Sequence, residues 1–542
     1  MDNEAKHDCA VHTMSELFAR FEQLHEVGAA LSSERNIDRL LESILVAAKA
    51  ITHADGGTLY RLAEDQKFLR FEIIRTASLK IAYGGTTGAP IPAQFQDLPL
   101  YRADGLPNNS LVAAYSAIHV ETVNIADAYA ADGFDFSGTR KFDAITGYHS
   151  QSFLTVPMKN HENEVIGVLQ LINAVDPQNG GVRVFSDADQ RLVESLASQA
   201  AVALTNRLLI SQLEELFVAF ITLINLAIDE KSPYTGGHCQ RVPALTMMLA
   251  EAVAATGEGP LAGFSMNEKD RYELKIAGLL HDCGKVTTPV HVVDKATKLQ
   301  TIFDRIEWVD TRFEVLRRDG EIAMLRAALA GADQDAAGRA WREREQALAE
   351  DRAFLRRVNI GGEAMRPEDQ ERVRSISKKY RWRNGDGVEV DFLSADEIEN
   401  LTIRSGTLTR AERETINHHI VATIRMLESL PWPKHLKHVA EYAGGHHERM
   451  DGTGYPLGLK GDEMSIQARI MGIADIFEAL TARDRPYKPG MKLSEALRIL
   501  GKFRDNGHID PDLFDVFIRE KVYLQYAERY LEAAQIDEPL PD

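Results

Sequence analysis

The stretch 445–456, GHHERMDGTGYP, places two histidines side by side and follows them with a turn rich in glycine. Gly452 and Gly454 permit backbone angles that other residues avoid, and Pro456 fixes the backbone where the turn ends. The reason for two adjacent imidazoles before such a turn depends on whether other residues of the metal-ligand type, elsewhere in the chain, can reach the same place.

The C-terminal half contains seven histidine and aspartate side chains that stand beside apolar segments, where an unpaired imidazole or carboxylate is costly. They are His238, His281, Asp282, His419, His446, His447 and Asp475. One such histidine is usually a core residue, but seven together indicate a metal centre. Neutral imidazoles with few carboxylates suit iron, manganese, zinc, nickel or cobalt better than calcium or magnesium. A carboxylate such as Asp282 can bridge two ions, an arrangement that supports hydrolysis of phosphate esters.

These residues lie in motifs that resemble the HD-GYP family, a branch of the HD-superfamily phosphohydrolases. The similarity runs from about residue 215 to 520, and five segments carry it in the family's order: HDCGK (281–285), GTLT (406–409), HHERMDGTGYP (446–456), ARIMGIAD (468–475) and EALTARDRPYK (478–488). The resemblance implies an all-α HD-domain helical bundle. It also implies hydrolysis of cyclic di-GMP, a bacterial second messenger, to pGpG, GMP or both.

The resemblance implies a metal role for each of the seven residues. The first metal is expected at His238, His281, Asp282 and Asp475. The second is expected at His419, His446 and His447, with Asp282 as the bridge. His419 is preferred to its neighbour His418 because it keeps the family's spacing from Thr409.

The resemblance also implies catalytic and substrate-binding residues. Asp282 and Lys285 are the catalytic candidates, with Lys285 contacting the scissile phosphate as a cation or proton donor. Lys285, Arg485 and Lys488 are expected to bind the substrate's phosphate or guanine groups.

Three residues of the opening motif have predicted supporting roles. Glu448 and Asp451 are expected to orient the imidazoles. Tyr455 is either a packing residue that anchors the turn or a contact for a substrate or partner.

The sequence departs from the family pattern at three places. Some members hold a third metal with a glutamate four residues before the first histidine; this chain has Tyr234 there, so two metals are expected. A charged segment at about 300–400 separates DKATKL from SGTLT, and we expect a solvated helical insertion, such as a hairpin of two helices. TARDRPYK is one residue longer than the commonest spacing, which leaves the placement of Arg485 open.

The part of the chain before about residue 205 mixes strand and helix signals. FLTVPMKN and EVIGVLQLINA are apolar and separated by HEN, a pattern typical of a β-hairpin. The segment 146–174 that contains them, together with NIADAY at 124–129, resembles a GAF domain over residues 15–206. The resemblance implies an α/β sensor with an antiparallel sheet and helices. Many GAF domains bind small ligands, including cyclic nucleotides, so both a ligand-binding sensor and a ligand-free dimerisation domain are open.

Apolar residues recur at intervals of three and four from about residue 187 to 228, which predicts one long helix capped by Asp187. Its segment 207–230 is expected to connect the GAF domain to the HD-GYP domain at 215–542. The continuous periodicity predicts a homodimer through the GAF domain and this helix.

The composition narrows the class of protein. The 542 residues are enough for two or three domains, and the net charge of −19 argues against nucleic-acid or anionic-membrane binding. No run approaches the roughly 20 apolar residues that a membrane span requires. Three cysteines and a polar, acidic start indicate a reducing compartment and no secretory signal. We therefore expect a cytoplasmic protein.

The sequence thus predicts a multidomain protein with an N-terminal α/β GAF domain, a long connecting helix and a C-terminal all-α HD domain. The predicted activity is hydrolysis of cyclic di-GMP with two divalent metals, iron being preferred to manganese, nickel, cobalt or zinc. The alternatives are a cyclic GMP-AMP phosphodiesterase, a catalytically silent receptor acting through protein contacts, and an oxygen-activating di-iron protein. Lys285, Arg485 and Lys488 favour an anionic phosphoester over oxygen, and the complete ligand set disfavours the silent receptor.

Overall fold

A computed structural model of the chain describes residues 22, 25–31, 33–34, 36–231, 237–362, 364–483 and 490–537. The chain divides into two compact units, Met1–Leu216 and Phe217–Asp542. Tyr234, Arg485 and Lys488 lie outside the described residues, so the predictions made for them stay predictions.

The first unit is built on an antiparallel sheet in the order β3-β2-β1-β7-β6-β5, with β4 paired to β2 and β8 to β7. The strands are β1 (Ala54–Leu62), β2 (Phe68–Thr76), β3 (Ile81–Tyr83), β4 (Leu98–Pro99), β5 (Val123–Ile125), β6 (Phe153–Lys159), β7 (Val165–Val175) and β8 (Val182–Arg183). Helices span Ile37–Thr52, Val112–His119 and Ser137–Thr146. The predicted hairpin is present as the antiparallel pair β6 and β7. The predicted α/β fold with an antiparallel sheet is confirmed.

The two faces of this sheet have different environments. On one face, Leu59 and Leu169 pack with the helix Ile37–Thr52 and with Leu196 in a buried apolar core. On the other face, side chains such as Tyr60 and Gln170 line a cavity of about 580 Å³. Because successive residues of a strand point to opposite faces, one strand contributes to both the core and the cavity.

One helix, Asp187–Lys231, continues from the first unit into the second. The predicted cap is wrong by one residue: Asp187 is the first helical residue, and the Ser186 hydroxyl accepts a hydrogen bond from the Asp189 backbone N–H at 3.2 Å. The helix extends to Lys231, slightly beyond the predicted end. In the second unit, Ile221 and Ile228 of this helix are buried in the apolar core.

The helix Asp187–Lys231 also carries an exposed apolar stripe. By length and composition alone, this helix is long and apolar enough to cross a membrane. The expectation that the chain has no apolar run long enough for a membrane span is therefore wrong for this helix. Within the second unit, however, Asn225 donates a hydrogen bond to the Leu279 carbonyl at 2.8 Å, and Ile228 packs in the protein core. A single helix of suitable length and composition is weak evidence for a membrane span.

The second unit is mainly helical, as predicted. Its helices are His238–Ala254, Glu268–Leu280, Val290–Val293, Ile306–Leu329, Gln334–Asn359, Pro367–Lys379, Ala395–Leu401, Arg410–Glu428, Val439–Gly444, Ile466–Thr481, Leu493–Asp505, Pro511–Arg519 and Val522–Tyr530. Short 3₁₀ helices span Cys283–Thr287, Lys434–Leu436 and Gly461–Glu463.

The charged segment is more than a solvated hairpin of two helices. The two predicted helices are present and pack against each other, but two shorter helices and a two-stranded hairpin, Arg381–Arg383 with Glu389–Asp391, follow them. Phe313, Phe354 and Phe392 belong to an apolar core of this segment. The prediction of a helical insertion is confirmed, whereas its description as a solvated excursion is wrong. Its apolar residues are spaced among charged ones in the sequence and meet in a core of their own.

Candidate metal centre

Capping side chains set where three site-bearing helices begin. Asn267 and Thr409 each form a reciprocal capping box, and the Ser465 hydroxyl accepts a hydrogen bond from the Ala468 backbone N–H. Such caps satisfy backbone N–H groups that have no partner within the helix. The helix after Asn267 ends just before His281. The helix after Thr409 carries His419, and the helix after Ser465 carries Asp475.

The first group of predicted ligands meets around the Nε2 atom of His238. This atom lies 3.1 Å from Asp282 Oδ2, 3.3 Å from Asp475 Oδ1 and 3.3 Å from His281 Nε2. His281 Nε2 is also 3.2 Å from Asp282 Oδ2. All four side chains are buried or nearly so. Two imidazoles and two carboxylate oxygens therefore converge on one point.

The second group consists of His419, His446 and His447, whose candidate ligand atoms lie within 4.8 Å of one another. His447 Nε2 lies 3.3 Å from His419 Nε2, and the rings of His446 and His447 have centroids 4.0 Å apart. His418 is exposed, whereas His419 is 4% exposed and belongs to the group. The structure therefore places the preferred histidine, rather than its neighbour, in the cluster.

Asp282 joins the two groups. Its Oδ2 atom faces His238 and His281, whereas its Oδ1 atom lies 3.3 Å from His419 Nε2. The Oδ1 atom is buried and accepts no hydrogen bond from the part of the chain that the structure describes. A buried carboxylate oxygen without a donor is costly unless a cation completes its environment. The donor set therefore fits two divalent metals bridged by Asp282.

Backbone carbonyls orient three of the imidazoles. The Nδ1 atoms of His281, His419 and His446 donate to the carbonyls of Gly278, Ile416 and Ala443 at 2.7, 2.5 and 2.6 Å. Each carbonyl lies three residues before its histidine. This contact directs the Nε2 atom, the atom through which a neutral imidazole binds a metal, toward the cluster.

Family models match both units. A GAF domain model matches residues 36–204, and HD domain models match residues 235–350 and 394–513. The chain joins a GAF domain to an HD domain. The first HD match contains His238, His281 and Asp282, and the second contains the other four members of the cluster. The predicted combination of a GAF domain with an HD domain is confirmed.

Curated relatives are similar over different lengths. A Vibrio cholerae protein named as a probable cyclic di-GMP phosphodiesterase is 27% identical over 338 residues, which cover 58% of this chain and 70% of the relative. A cyclic di-GMP phosphodiesterase of Pseudomonas aeruginosa is 38% identical over 116 residues, covering 21% of this chain and 27% of that protein. A 3'3'-cGAMP-specific phosphodiesterase of Vibrio cholerae is 42% identical over 113 residues, covering 20% and 23%. The last two alignments thus span about a quarter of each relative's own length.

Burial and neighbouring charges affect the pKa values of the seven candidate metal ligands, which we call the HD cluster. Burial lowers the pKa of His446 to about 4, and it lowers the pKa of His447 well below its usual value, so both imidazoles are neutral. Burial alone would raise the pKa of Asp282, but Lys285 and His281 outweigh it and hold that pKa well below its usual range. Asp282, His446 and His447 are therefore in the forms that bind metals. His238 differs: burial alone would lower its pKa, but Glu478, Asp282 and Asp475 raise that pKa well above its usual value.

Lys285 of the HD domain contacts the bridging carboxylate. Its Nζ atom donates to Asp282 Oδ2 at 2.5 Å, and its side chain is 20% exposed. Burial alone would lower the pKa of this ammonium, but Asp282 and Asp475 raise it above its usual value. Lys285 is therefore a charged group beside the cluster with some access to solvent.

Two carboxylates of the glycine-rich turn, Glu448 and Asp451, have a different role from the one predicted for them. The Glu448 carboxylate accepts hydrogen bonds from the backbone N–H groups of residues 457–459, and the Asp451 carboxylate accepts from Thr453. Both carboxylates organise the turn, so the prediction that they orient the imidazoles is wrong. Gly452 has a positive φ of 78°, as expected. At Gly454, a Cβ atom would instead lie 2.5 Å from Glu448 Cα, so close backbone approach requires glycine there.

Tyr455 packs on the metal cluster. Its ring stacks on that of His447, with centroids 4.9 Å apart and planes at 28°. The turn therefore places an aromatic face over one candidate ligand, which explains why the motif follows the paired histidines directly.

Glu478 is a site residue that sequence reasoning missed. Its carboxylate accepts a hydrogen bond from His238 Nδ1 at 2.5 Å and is fully buried. Burial alone would raise its pKa, but His238 and Arg241 lower it to about 2. Its position three residues after Asp475 was the available signal, because residues so spaced share a helix face.

Proposed function

We propose that this chain is a metal-dependent phosphodiesterase of the HD-GYP branch that hydrolyses cyclic di-GMP to pGpG, GMP or both. The HD domain and the relatives named as cyclic di-GMP phosphodiesterases support this activity. The main observation in support of the proposal is the arrangement of Asp282, whose two oxygens face two separate groups of imidazoles. When bound, two metals would supply an activated water and positive charge at the scissile phosphate.

The proposal assigns roles to the chain's own residues. His238, His281, Asp282 and Asp475 would hold one metal, and His419, His446, His447 and the bridging Asp282 would hold the other. Lys285 would neutralise charge on the phosphate or donate a proton to the leaving oxygen, and Asp282 keeps this ammonium charged. Arg485 and Lys488 are proposed to bind the substrate's phosphate or guanine groups.

Cyclic GMP-AMP is the alternative substrate. A relative that is 42% identical over 113 residues is named as specific for 3'3'-cGAMP, so similarity within the HD domain does not separate the two dinucleotides. The choice depends on contacts with one nucleobase. We favour cyclic di-GMP because the Vibrio cholerae relative that aligns over 58% of this chain is named for that substrate.

We propose iron as the preferred metal, with manganese, nickel, cobalt or zinc as substitutes. Five imidazoles and two carboxylates form a donor set of intermediate softness, which these metals share. The proposal of two metals, rather than three, depends on Tyr234 being a poor ligand.

We propose that the GAF domain regulates the HD domain within a homodimer. The helix Asp187–Lys231 exposes apolar side chains at alternating intervals of four and three, with Asn206 at one equivalent position. They are Val202, Leu209, Leu213, Leu216, Phe220 and Leu223. This is the pattern of a two-stranded coiled coil, in which a single asparagine selects the register of the two helices. A ligand in the cavity of about 580 Å³ in the GAF domain could then alter the helix that both domains share.

Purification of the full chain without oxygen, followed by metal analysis and assays with both dinucleotides, tests the proposed function. We expect two metals per chain and a kcat/KM at least tenfold higher for cyclic di-GMP than for cyclic GMP-AMP. The reverse preference would establish the alternative substrate. A chain that holds two metals and binds cyclic di-GMP without hydrolysing it would be the silent receptor, and the proposed activity would be wrong.

A further inference from the structure

His238 differs from three other imidazoles of the cluster in what its Nδ1 atom contacts. Backbone carbonyls accept from the Nδ1 atoms of His281, His419 and His446. For His238 the acceptor is an ionised side chain, Glu478 Oε2, at 2.5 Å. The first ligand group therefore contains a carboxylate-supported imidazole, whereas carbonyls support two imidazoles of the second group.

The contact is held by two interlocked pairs of side chains. His238 and Arg241 lie three residues apart on one helix, and Asp475 and Glu478 lie three residues apart on another. Arg241 Nε donates to Glu478 Oε1 at 2.7 Å, while His238 Nε2 lies 3.3 Å from Asp475 Oδ1. Both oxygens of Glu478 are therefore engaged, and the carboxylate has little freedom to turn away from His238.

This arrangement has a consequence for metal affinity. A carboxylate that accepts the Nδ1 proton fixes the imidazole tautomer and makes Nε2 a stronger donor to a metal. Its negative charge, buried near the first ligand group, also favours a cation there. The first group additionally contains Asp475, whereas the second group has no carboxylate of its own among the described residues besides the shared Asp282.

We propose that Glu478 is a positioning residue that makes the site at His238, His281, Asp282 and Asp475 the tighter of the two metal sites. The inference rests on the proposed metal centre, but it does not depend on which substrate the enzyme cleaves. Glu478 acts through His238, and no contact between Glu478 and a metal is required. The two sites are therefore unequal, and the first fills at lower metal concentration.

The test is a titration of the metal-free full chain with Mn²⁺ in site-selective backgrounds. His447→Ala leaves the first site intact, and Asp475→Ala leaves the three imidazoles of the second site intact. We expect Glu478→Gln, which keeps the shape but removes the charge, to raise the first site's dissociation constant by roughly 10- to 100-fold. In the Asp475→Ala background, Glu478→Gln should change the Mn²⁺ affinity of the second site less than about threefold, because the effects of weakly coupled substitutions are nearly additive.

A matched control is available elsewhere in the HD domain. Glu273 is a buried glutamate whose carboxylate accepts from the backbone N–H and Nδ1 of His438 at 2.6 and 3.3 Å, outside the metal cluster. Glu273→Gln removes a comparable charge and should leave both Mn²⁺ affinities unchanged. Glu478→Asp keeps the charge one methylene further from His238, and its affinity should fall between those of the wild type and Glu478→Gln. It replaces Glu478→Gln if that variant does not fold by circular dichroism.

Equal weakening of both sites, or no change at the first site, would overturn the assignment. Equal affinity of the two sites in the wild-type chain would also overturn it. A wild-type chain that binds two metals unequally but cleaves no cyclic dinucleotide would contradict the proposed activity and leave the role of Glu478 intact. The two proposals therefore fail by different measurements.

Discussion

The HD cluster and the GAF cavity both contain buried polar groups, but they differ in how those groups are satisfied. In the GAF domain, the Tyr60 hydroxyl donates to Gln170 Oε1 at 3.3 Å, and Gln170 Nε2 donates to Thr155 at 3.0 Å. No lysine or arginine is found among the described residues that line this cavity. In the HD domain, charged and imidazole groups converge, and Asp282 Oδ1 has no donor within the described chain.

This difference separates the work of the two domains. The described lining of the GAF cavity contains Asp135 but no lysine or arginine, so the cavity offers no positive charge to a phosphate. A cluster that joins a carboxylate oxygen without a donor to imidazoles such as His446 and His447 fits divalent metals. If catalysis depends on the cluster alone, the effect of a substitution on turnover should decrease as its distance from the cluster increases.

The largest effect is expected from Asp282→Ala. In the proposed centre both metals would depend on this bridging carboxylate, so the variant should lose both metals and all measurable turnover. Metal analysis and an assay with cyclic di-GMP provide the measurement. Asp351→Ala is the matched control, since this buried aspartate pairs with a lysine at 2.9 Å outside the cluster. It should keep both metals, and retention of both metals by Asp282→Ala would remove the bridge from the proposal.

A smaller loss is expected from Lys285→Ala. A positioned charge or proton donor typically contributes about a hundredfold to turnover, and the metal ligands are left in place. Steady-state kinetics should therefore show a fall in kcat of roughly that size with metal content unchanged. Lys379→Ala removes the lysine of the other ion pair, with Asp351, and should leave kcat unaltered. Normal turnover by metal-loaded Lys285→Ala would exclude this lysine from the mechanism.

Charges on the exposed stripe of the connecting helix should change the oligomeric state. Leu213→Glu with Leu216→Glu places like charges at the proposed seam, where they repel between helices, so light scattering should show a monomer. Thr222→Glu lies on the same helix outside the stripe and should remain a dimer. We expect the monomer to keep both metals and lose its response to the GAF domain. A wild-type monomer with full activity would contradict this regulation.

The smallest effect is expected from filling the GAF cavity with Ile172→Trp. The cavity of about 580 Å³ has room for the added ring, so the cost of overpacking should stay below about 3 kcal/mol. Metal content should remain at the wild-type value, and basal turnover should change less than the roughly hundredfold expected for loss of a catalytic group. Loss of metal from this variant would show that the two domains are not separable as proposed. Thermal unfolding and metal analysis of the full chain provide the measurement.

The helix Asp187–Lys231 shows how far periodicity alone reaches. Spacing of three and four predicts the helix and nearly its length, because a repeating apolar face is a property of local sequence. It does not distinguish the face that packs in the protein, with Ile221 and Ile228, from the exposed stripe with Leu213 and Phe220. Both faces are apolar, so only packing separates them.

The charged insertion is a region where composition alone led to a wrong prediction. Its composition suggested a solvated hairpin, yet Phe313, Phe354 and Phe392 form a core with aromatic contacts. The apolar residues are few and dispersed among Arg and Glu, so composition hides the faces on which they meet. The short strands Arg381–Arg383 and Glu389–Asp391 were missed for the same reason.

The sequence by itself determined the candidate metal-site residues and the order of the domains, because each motif is a short local pattern whose chemistry is visible in its letters. Only the tertiary structure decided which of two adjacent histidines, His418 or His419, faces the cluster, since neighbours on a helix point about 100° apart. Only the tertiary structure brought Glu478 to His238 across 240 residues of chain. The partner of a buried charge is set by how helices pack, and local sequence does not contain that information.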